Sequence, residues 1–193
     1  MNCMYEELPD SICVNGNDIK IVTDFREYIR LFDMLNDESL TTMDKMFFVR
    51  QYFLSDLPDS ELGEAILKLK DFIAIKSDNE MSNSEHEGHE EVKHEKLFSY
   101  EVDFPYILSA FLRDYGIDIM SVRYMHWWKF KFLFDGLSDE NEIKKRIMYR
   151  GIDPGSIKDD AERKRIIEIK SRIALPESEV SEYDIGDMLW QSD

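Results

Sequence analysis

Three closely spaced histidines, His86, His89 and His94, are the first candidates for a metal site in this 193-residue chain. A zincin-type site needs two histidines four residues apart on a helix, with a glutamate between them, so that both imidazole rings face one way. The spacings here are three and five, and the surrounding segment 76–96 has no apolar stripe that would support a helix. We therefore expect a solvated linker, no functional metal site and no cofactor.

The acidic residues are too numerous for their proximity in sequence to indicate a catalytic pair, since 41 Asp and Glu stand against 24 Lys and Arg. General acid–base catalysis needs carboxyl groups whose environments separate their pKa values, usually through burial. Only Asp103 and Asp118 have any indication of a buried context, and both fit better as helix caps. The eight glycines are scattered singly, without a phosphate-binding loop or a G-x-S-x-G motif. These observations favour a protein that is not an enzyme.

The overall composition describes an acidic chain that can form a core. Its formal net charge is −17, and 43% of its residues are hydrophobic. Such acidity argues against electrostatic binding of the molecule as a whole to nucleic acid or to an anionic membrane. The sequence has no apolar run of about 18 residues and no signal-peptide pattern at its start. With Cys3 and Cys13 as ordinary reduced thiols, we expect a cytoplasmic protein.

Basic residues are concentrated in the later part of the chain. Residues 121–175 hold thirteen Lys and Arg against nine Asp and Glu, whereas the tail 176–193 carries six acids and no base. The clusters 144–146 and 163–165 raise the hypothesis of a nucleic-acid-binding surface. Solvated, salt-bridged helix faces are the favoured interpretation. Such faces could also hold the acidic tail, the linker or an acidic partner.

The aromatic stretch 124–137 is the most informative part of the sequence. At about 100° per residue, its rings surround a helix nearly on all sides, with Lys129 and Lys131 the only interruptions. Such a helix is central to a core, or it divides its faces between the core and a partner. Core burial is the default for aromatic residues at helical spacing, but Trp127 and Trp128 are adjacent, so burial of one indole against a partner stays open as the alternative. His126 is expected to be a hydrogen-bonded residue of the core or its rim.

The first 75 residues predict a β-hairpin followed by three helices. Asn15-Gly16, the preferred type I′ turn dipeptide, separates two short β-branched runs within 11–22. Thr23 or Asp24 can cap a first helix, and Thr41-Thr42 begins a second that carries apolar residues as far as Leu54. A third helix follows Pro58. The fold class is therefore mainly α, a helical bundle-like protein with a small N-terminal hairpin.

The later part predicts four more helices and completes the domain boundaries. Asp103 and Gly116 bound the first of these helices, and the second is predicted at 122–134. Two further helices follow Ser138 and Asp159. We thus divide the chain into a hairpin-plus-three-helix subdomain (1–75), an acidic linker (76–96), a helical subdomain (97–175) and an acidic tail (176–193).

The second half, about residues 98–176, resembles a family of tail assembly proteins of long-tailed bacteriophages and prophages of Gram-positive hosts. The residues that carry the resemblance are Tyr115-Gly116-Ile117-Asp118, His126-Trp127-Trp128-Lys129-Phe130, Gly136-Leu137-Ser138, Arg150 and Ala174-Leu175-Pro176. Genes of this family typically lie between those of the tail tube protein and the tape measure protein, as genes of tail assembly chaperones do.

The resemblance implies a chaperone of the host cytoplasm that binds the tape measure protein and keeps it soluble until tube subunits polymerise around it. The tail tube protein is a second candidate partner, and a homo-oligomer is possible. The first alternative is a structural tail subunit retained in the virion, and the second is a small nucleic-acid-binding regulator. The candidate partner-binding residues, taken from the aromatic stretch and from the resemblance, are Tyr124, His126, Trp127, Trp128, Phe130 and Arg150.

Overall fold

A computed structural model describes residues 6–75 and 97–176 of the chain. These residues form seven α-helices and one two-stranded antiparallel sheet, which confirms the mainly α fold with a hairpin near its beginning. They group into two compact units, 6–75 with Tyr124–Phe130 and 97–123 with 131–176. The segment Tyr124–Phe130 thus differs from the predicted division, which placed it in the later subdomain. The predicted linker 76–96 and all of the tail after Pro176 lie outside the described residues.

The hairpin of the first unit consists of β1 (Ser11–Val14) and β2 (Asn17–Lys20). Asn15 and Gly16 both have positive φ angles, 49° and 80°, as the predicted type I′ turn requires. In this register Ile12 lies opposite Ile19, and both side chains are buried. The alternation of buried and exposed residues gives the hairpin one apolar face, and β1 packs against the third helix.

Three helices complete the contiguous part of the first unit: α1 (Phe25–Asn36), α2 (Thr42–Arg50) and α3 (Leu62–Ile73). The Asp24 carboxylate accepts the N–H of Arg26 and caps α1. The predicted extension of the second helix to Leu54 is wrong. After α2 ends, Phe53 forms an antiparallel bridge with Ile21, and the Leu54 N–H donates to the Lys20 carbonyl at 2.7 Å. Pairing with the hairpin therefore uses backbone groups that a longer helix would need.

The second unit contains α4 (Phe104–Tyr115), α6 (Glu142–Gly151) and α7 (Asp160–Ile173), and α5 (Trp127–Asp135) crosses from the first unit into it. Gly116 ends α4 in the left-handed conformation, with φ 65°, and Asp159 caps α7 through the N–H of Glu162. Both features agree with the sequence. Among the described residues, no helix is long and apolar enough to cross a bilayer.

The helix predicted at 122–134 begins five residues later than expected. The Phe25 N–H donates to the Met125 carbonyl at 3.0 Å, and the Trp127 N–H donates to the Thr23 carbonyl at 2.7 Å. The chain just before α5 therefore pairs with the chain just before α1 instead of forming a helical turn. Local apolar spacing carries no information about such a pairing across more than a hundred residues.

Candidate protein-interaction surface

The structure places the six candidate residues unequally. Tyr124, His126, Trp127, Trp128 and Phe130 belong to the first unit, whereas Arg150 lies in the second. Tyr124 is 57% exposed, and the side chains of the other five are buried.

Both indoles of the adjacent tryptophans are buried, with exposures of 0% for Trp127 and 9% for Trp128. Trp127 Nε1 donates to the Ile73 carbonyl at 3.0 Å, and Trp128 Nε1 donates to the Phe72 carbonyl at 2.8 Å. These carbonyls belong to the last turn of α3, where the α-helical donors run out, and the Phe72 carbonyl also accepts the Ile75 N–H at 3.2 Å. The default of core burial is therefore observed for both indoles, and the alternative that one of them faces a partner is wrong, because the two rings cap the same helix end.

His126 is a hydrogen-bonded residue of the interior, as predicted. Its Nδ1 accepts the backbone N–H of Trp128 at 3.1 Å, and its Nε2 lies 2.9 Å from the Pro9 carbonyl. The neutral ring with its proton on Nε2 satisfies both contacts, so His126 caps the beginning of α5. Burial lowers its pKa, against the opposing effects of the Pro9 hydrogen bond and the Asp10 charge.

Phe130 and Tyr124 anchor opposite ends of the segment that belongs to the first unit. The Phe130 ring stacks on Phe25 with centroids 4.5 Å apart. The Tyr124 hydroxyl lies 2.8 Å from the Thr23 hydroxyl while much of the ring stays exposed. Tyr124 is therefore the one candidate of the six whose side chain is open to a partner.

Arg150 is buried in the second unit, where its guanidinium pairs with the fully buried carboxylate of Asp103. It also donates to the carbonyls of Leu97 and Ile173, at 3.0 and 2.7 Å. Asp103 occupies the position before α4 without capping it, because its carboxylate accepts from Arg150 and from the Ser99 N–H. The helix-cap role predicted for the Asp103 side chain is therefore wrong.

The two most exposed large apolar side chains in the described part of the first unit lie elsewhere, on α2, and Leu54, just after this helix, is 64% exposed. Met43 and Phe47, one turn apart, are 76% and 66% exposed, and Phe48 is partly exposed beside Phe47. At about 100° per residue these three side chains fall within an arc of about 140°. We call Met43, Phe47 and Phe48 the α2 surface. The apolar residues of α2 lie on all sides of the helix in the sequence, and this pattern is the signal that could have indicated an outward apolar face.

The charges around the α2 surface are mostly negative. Segment 37–61 holds six acids and two bases. Lys45 is buried and donates to the Leu35 carbonyl at 2.6 Å, and Arg50 pairs with Asp59 and donates to the Leu57 carbonyl. Both cations are thus engaged by groups of the protein itself, although Arg50 is exposed. Glu38 and Asp44 are exposed as well, and Asp44 accepts hydrogen bonds from Thr41.

The basic clusters of the second unit form ion pairs along their own helices. Arg146 pairs with Glu142, and Arg163 with Asp160. Arg172 likewise pairs with Glu168 on α7. Salt-bridged helix faces, the favoured interpretation of these clusters, are thus observed.

A metal site is not formed by the part of the chain that the structure describes. No group of three or more His, Cys, Asp or Glu side chains within 6–75 and 97–176 could hold a metal ion. His86, His89 and His94 lie outside these residues, so their expected lack of a metal stays a prediction.

Comparison with known protein families gives a match over most of the chain. The model of the family described as "Bacteriophage Gp15 protein" matches residues 4–175, which is most of the chain. No curated protein and no solved structure matches. The family match extends across the hairpin and α1–α3 as well as the second half, where the sequence resemblance was recognised.

Proposed function

The chain belongs to the Bacteriophage Gp15 protein family, and from this premise we propose that it is a tail assembly chaperone. In this function it binds the tape measure protein in the host cytoplasm and keeps it soluble until tail tube subunits polymerise around it. The tail tube protein is the second partner in the proposal. The activity is binding alone, without an enzymatic step or a cofactor.

The α2 surface is the observation that carries this proposal. A chaperone needs apolar side chains that are exposed before its partner arrives, and Met43 and Phe47 are exposed to that degree. Two large apolar side chains one turn apart make a ridge that a partner helix can cover. The buried tryptophans move the proposed binding surface from α5 to α2.

The acidity of the chain supports the same function. A net charge of −17 keeps molecules of this protein apart while their apolar residues are exposed. Thr41 and Asp44 hold the beginning of α2 in a reciprocal capping box, which fixes the ridge without the help of a partner. A surface that is formed in advance loses less conformational entropy when it binds.

Co-expression with the tape measure protein encoded by the same phage tests the proposal. We expect the soluble yield of the tape measure protein to rise several-fold and the two proteins to purify together. A tape measure protein expressed alone, and one expressed with an unrelated protein of similar acidity, are the controls. An equal yield in all three cultures would overturn the chaperone function.

Mass spectrometry of purified phage particles separates the chaperone from a structural tail subunit. A chaperone leaves the tail as it assembles, so we expect at most traces of this chain in the particles. A constant copy number per particle, comparable with that of other tail proteins, would replace the chaperone proposal with the structural one.

A further inference from the structure

We propose that the α2 surface docks a cationic amphipathic helix, an inference that rests on the proposed function and names the chemistry of its partner. The apolar centre of the site is formed by Met43 and Phe47, with Phe48 at its side. The Phe47 and Phe48 rings meet edge to face, with centroids 5.9 Å apart. This contact gives the ridge a firm aromatic part beside the adaptable thioether of Met43.

The negative charges at the beginning of α2 indicate that the partner's binding face is positively charged. Ser39 holds the pKa of Asp37 below its usual value through hydrogen bonds, and Thr41 does the same for Asp44. Both carboxylates are therefore anionic at neutral pH, and exposed Glu38 lies between them in sequence. A partner that covers the apolar ridge meets carboxylates at this end, and lysine or arginine side chains complement them.

Both basic side chains of segment 37–61 donate hydrogen bonds to backbone carbonyls of the first unit. Lys45 points inward from α2 to the last turn of α1, where the Leu35 carbonyl lacks a helical donor. Arg50, at the other end of α2, donates to the Leu57 carbonyl at 2.6 Å and pairs with Asp59. An acidic partner would thus meet the carboxylates of Asp37, Glu38 and Asp44 beside the α2 surface, whereas both cations of segment 37–61 already bind groups of the protein itself.

The helical form of the partner follows from the shape of the site. Met43 and Phe47 form a ridge along one helix, and helices pack by fitting such ridges between rows of side chains on another helix. A partner that binds by adding a β-strand would instead need a free sheet edge. An amphipathic helix with leucine at positions i, i+3, i+4 and i+7, and with lysine elsewhere, has the required apolar face and charge.

The probe for this proposal is a fluorescein-labelled Leu–Lys peptide of about 18 residues with that pattern, long enough to be helical when bound. A Leu–Glu peptide with the same leucine positions and a scrambled Leu–Lys peptide are its controls. We expect fluorescence anisotropy of the full chain to report binding of the patterned Leu–Lys peptide only. Equal binding of the Leu–Glu or the scrambled peptide would overturn the proposal.

Variants locate the binding on the chain. We expect Met43→Ser/Phe47→Ser to weaken peptide binding by about tenfold or more, because both side chains lose burial against the probe. The matched control is Leu112→Ser/Met120→Ser, which removes exposed apolar side chains of the second unit. It should bind like the wild type. An equal loss in both double variants, each with an unchanged unfolding temperature, would overturn the assignment to α2.

A variant that removes only charges tests whether the negative charge beside the α2 surface contributes to peptide binding. Asp44→Asn with Glu38→Gln removes two negative charges, and the amide oxygen of the introduced asparagine can still accept the Thr41 N–H. We expect about fivefold weaker binding of the Leu–Lys peptide at low salt, and a smaller difference at high salt. Equal binding of wild type and variant at low salt would exclude charge complementarity.

The same variants distinguish failure of this inference from failure of the proposed function. If the wild type and Met43→Ser/Phe47→Ser raise the soluble yield of the tape measure protein equally, the chaperone function stands and α2 is not its docking site. If neither raises that yield while the peptide still requires Met43 and Phe47, the docking site stands and its partner is not the tape measure protein.

Discussion

The guanidinium of Arg150 and the carboxylate of Asp103 form a bidentate ion pair in the interior of the second unit, with N–O distances of 2.5 and 3.0 Å. The remaining donors of Arg150 reach the carbonyls of Leu97 and Ile173. One side chain thus connects the beginning of the described second unit, the position before α4 and the end of α7. Burial of both charges is tolerated because each is paired and hydrogen-bonded.

Removal of one partner of this pair should destabilise the fold strongly. Asp103→Ala leaves the Arg150 guanidinium buried without its counter-charge, and we expect a loss of about 3–5 kcal/mol in the free energy of unfolding. Asp103→Leu/Arg150→Met removes both charges and should recover part of that loss, because no uncompensated ion remains. Urea denaturation followed by far-UV circular dichroism measures both. A double variant less stable than Asp103→Ala would contradict this account.

The two tryptophans should differ in what they contribute to stability. Trp127→Ala removes a fully buried ring that packs against Tyr28 and Phe32, and we expect it to cost about 3–5 kcal/mol. Trp128→Phe keeps most of the apolar volume but loses the indole N–H, for about 1–3 kcal/mol. Chemical denaturation followed by far-UV circular dichroism gives both values. Unchanged stability of Trp127→Ala would show that its ring is not part of the core, and unchanged stability of Trp128→Phe would show that the hydrogen bond of its indole N–H does not stabilise the fold.

Gly116 should resist replacement for conformational reasons alone. Its φ is 65°, and a Cβ added there would meet no atom within 4 Å. Gly116→Ala should therefore cost about 1–2 kcal/mol through the left-handed backbone and not through a clash. Gly151→Ala is the matched control, since Gly151 lies in α6 without a positive φ. We expect that control to be neutral or stabilising. Equal losses in the two variants would refute the argument.

The features that sequence predicted are those that neighbouring residues determine. Asn15-Gly16 determines the hairpin turn, and Gly116 ends α4, because each acts on its own backbone. Thr41 and Asp159 likewise each satisfy a donor three residues away in the helix that follows them. Such interactions are repeated in many proteins with the same local sequence, so a pattern is enough to find them.

The features that sequence missed depend on distant partners. The last carbonyls of α3 are satisfied by two indoles more than fifty residues away, and Lys45 and Lys170 cap the ends of α1 and α6 from other helices. The number of residues between such a donor and the helix end that it caps is not fixed, so no sequence pattern identifies the pair. Five of the six candidate side chains are therefore buried. Aromatic density at Trp127 and Trp128 indicated how much a core could gain from them, whereas the exposure of Met43 depends on which face of α2 the rest of the unit covers.

Acidification should destabilise the first unit through His126. Burial lowers the pKa of this imidazole in the folded protein, whereas in the unfolded chain it is about 6.5. The unfolded chain therefore binds the proton more readily, so the contribution of His126 to stability is complete above that value and is lost as the pH falls below it. Protonation of Nδ1 also removes the acceptor for the Trp128 N–H, although the nearby Asp10 charge partly offsets the effect.

His126→Asn isolates this titration, because the asparagine oxygen can still cap α5 while it carries no proton. We expect the free energy of unfolding of the wild type to fall, relative to the variant, by at most about 1.4 kcal/mol per pH unit below pH 6.5. Urea denaturation of both proteins at a series of pH values measures the difference. Protonation of carboxylates affects the two proteins alike, so it cancels in this difference. Parallel stability curves between neutral pH and pH 5 would show that His126 titrates equally in the folded and unfolded chains.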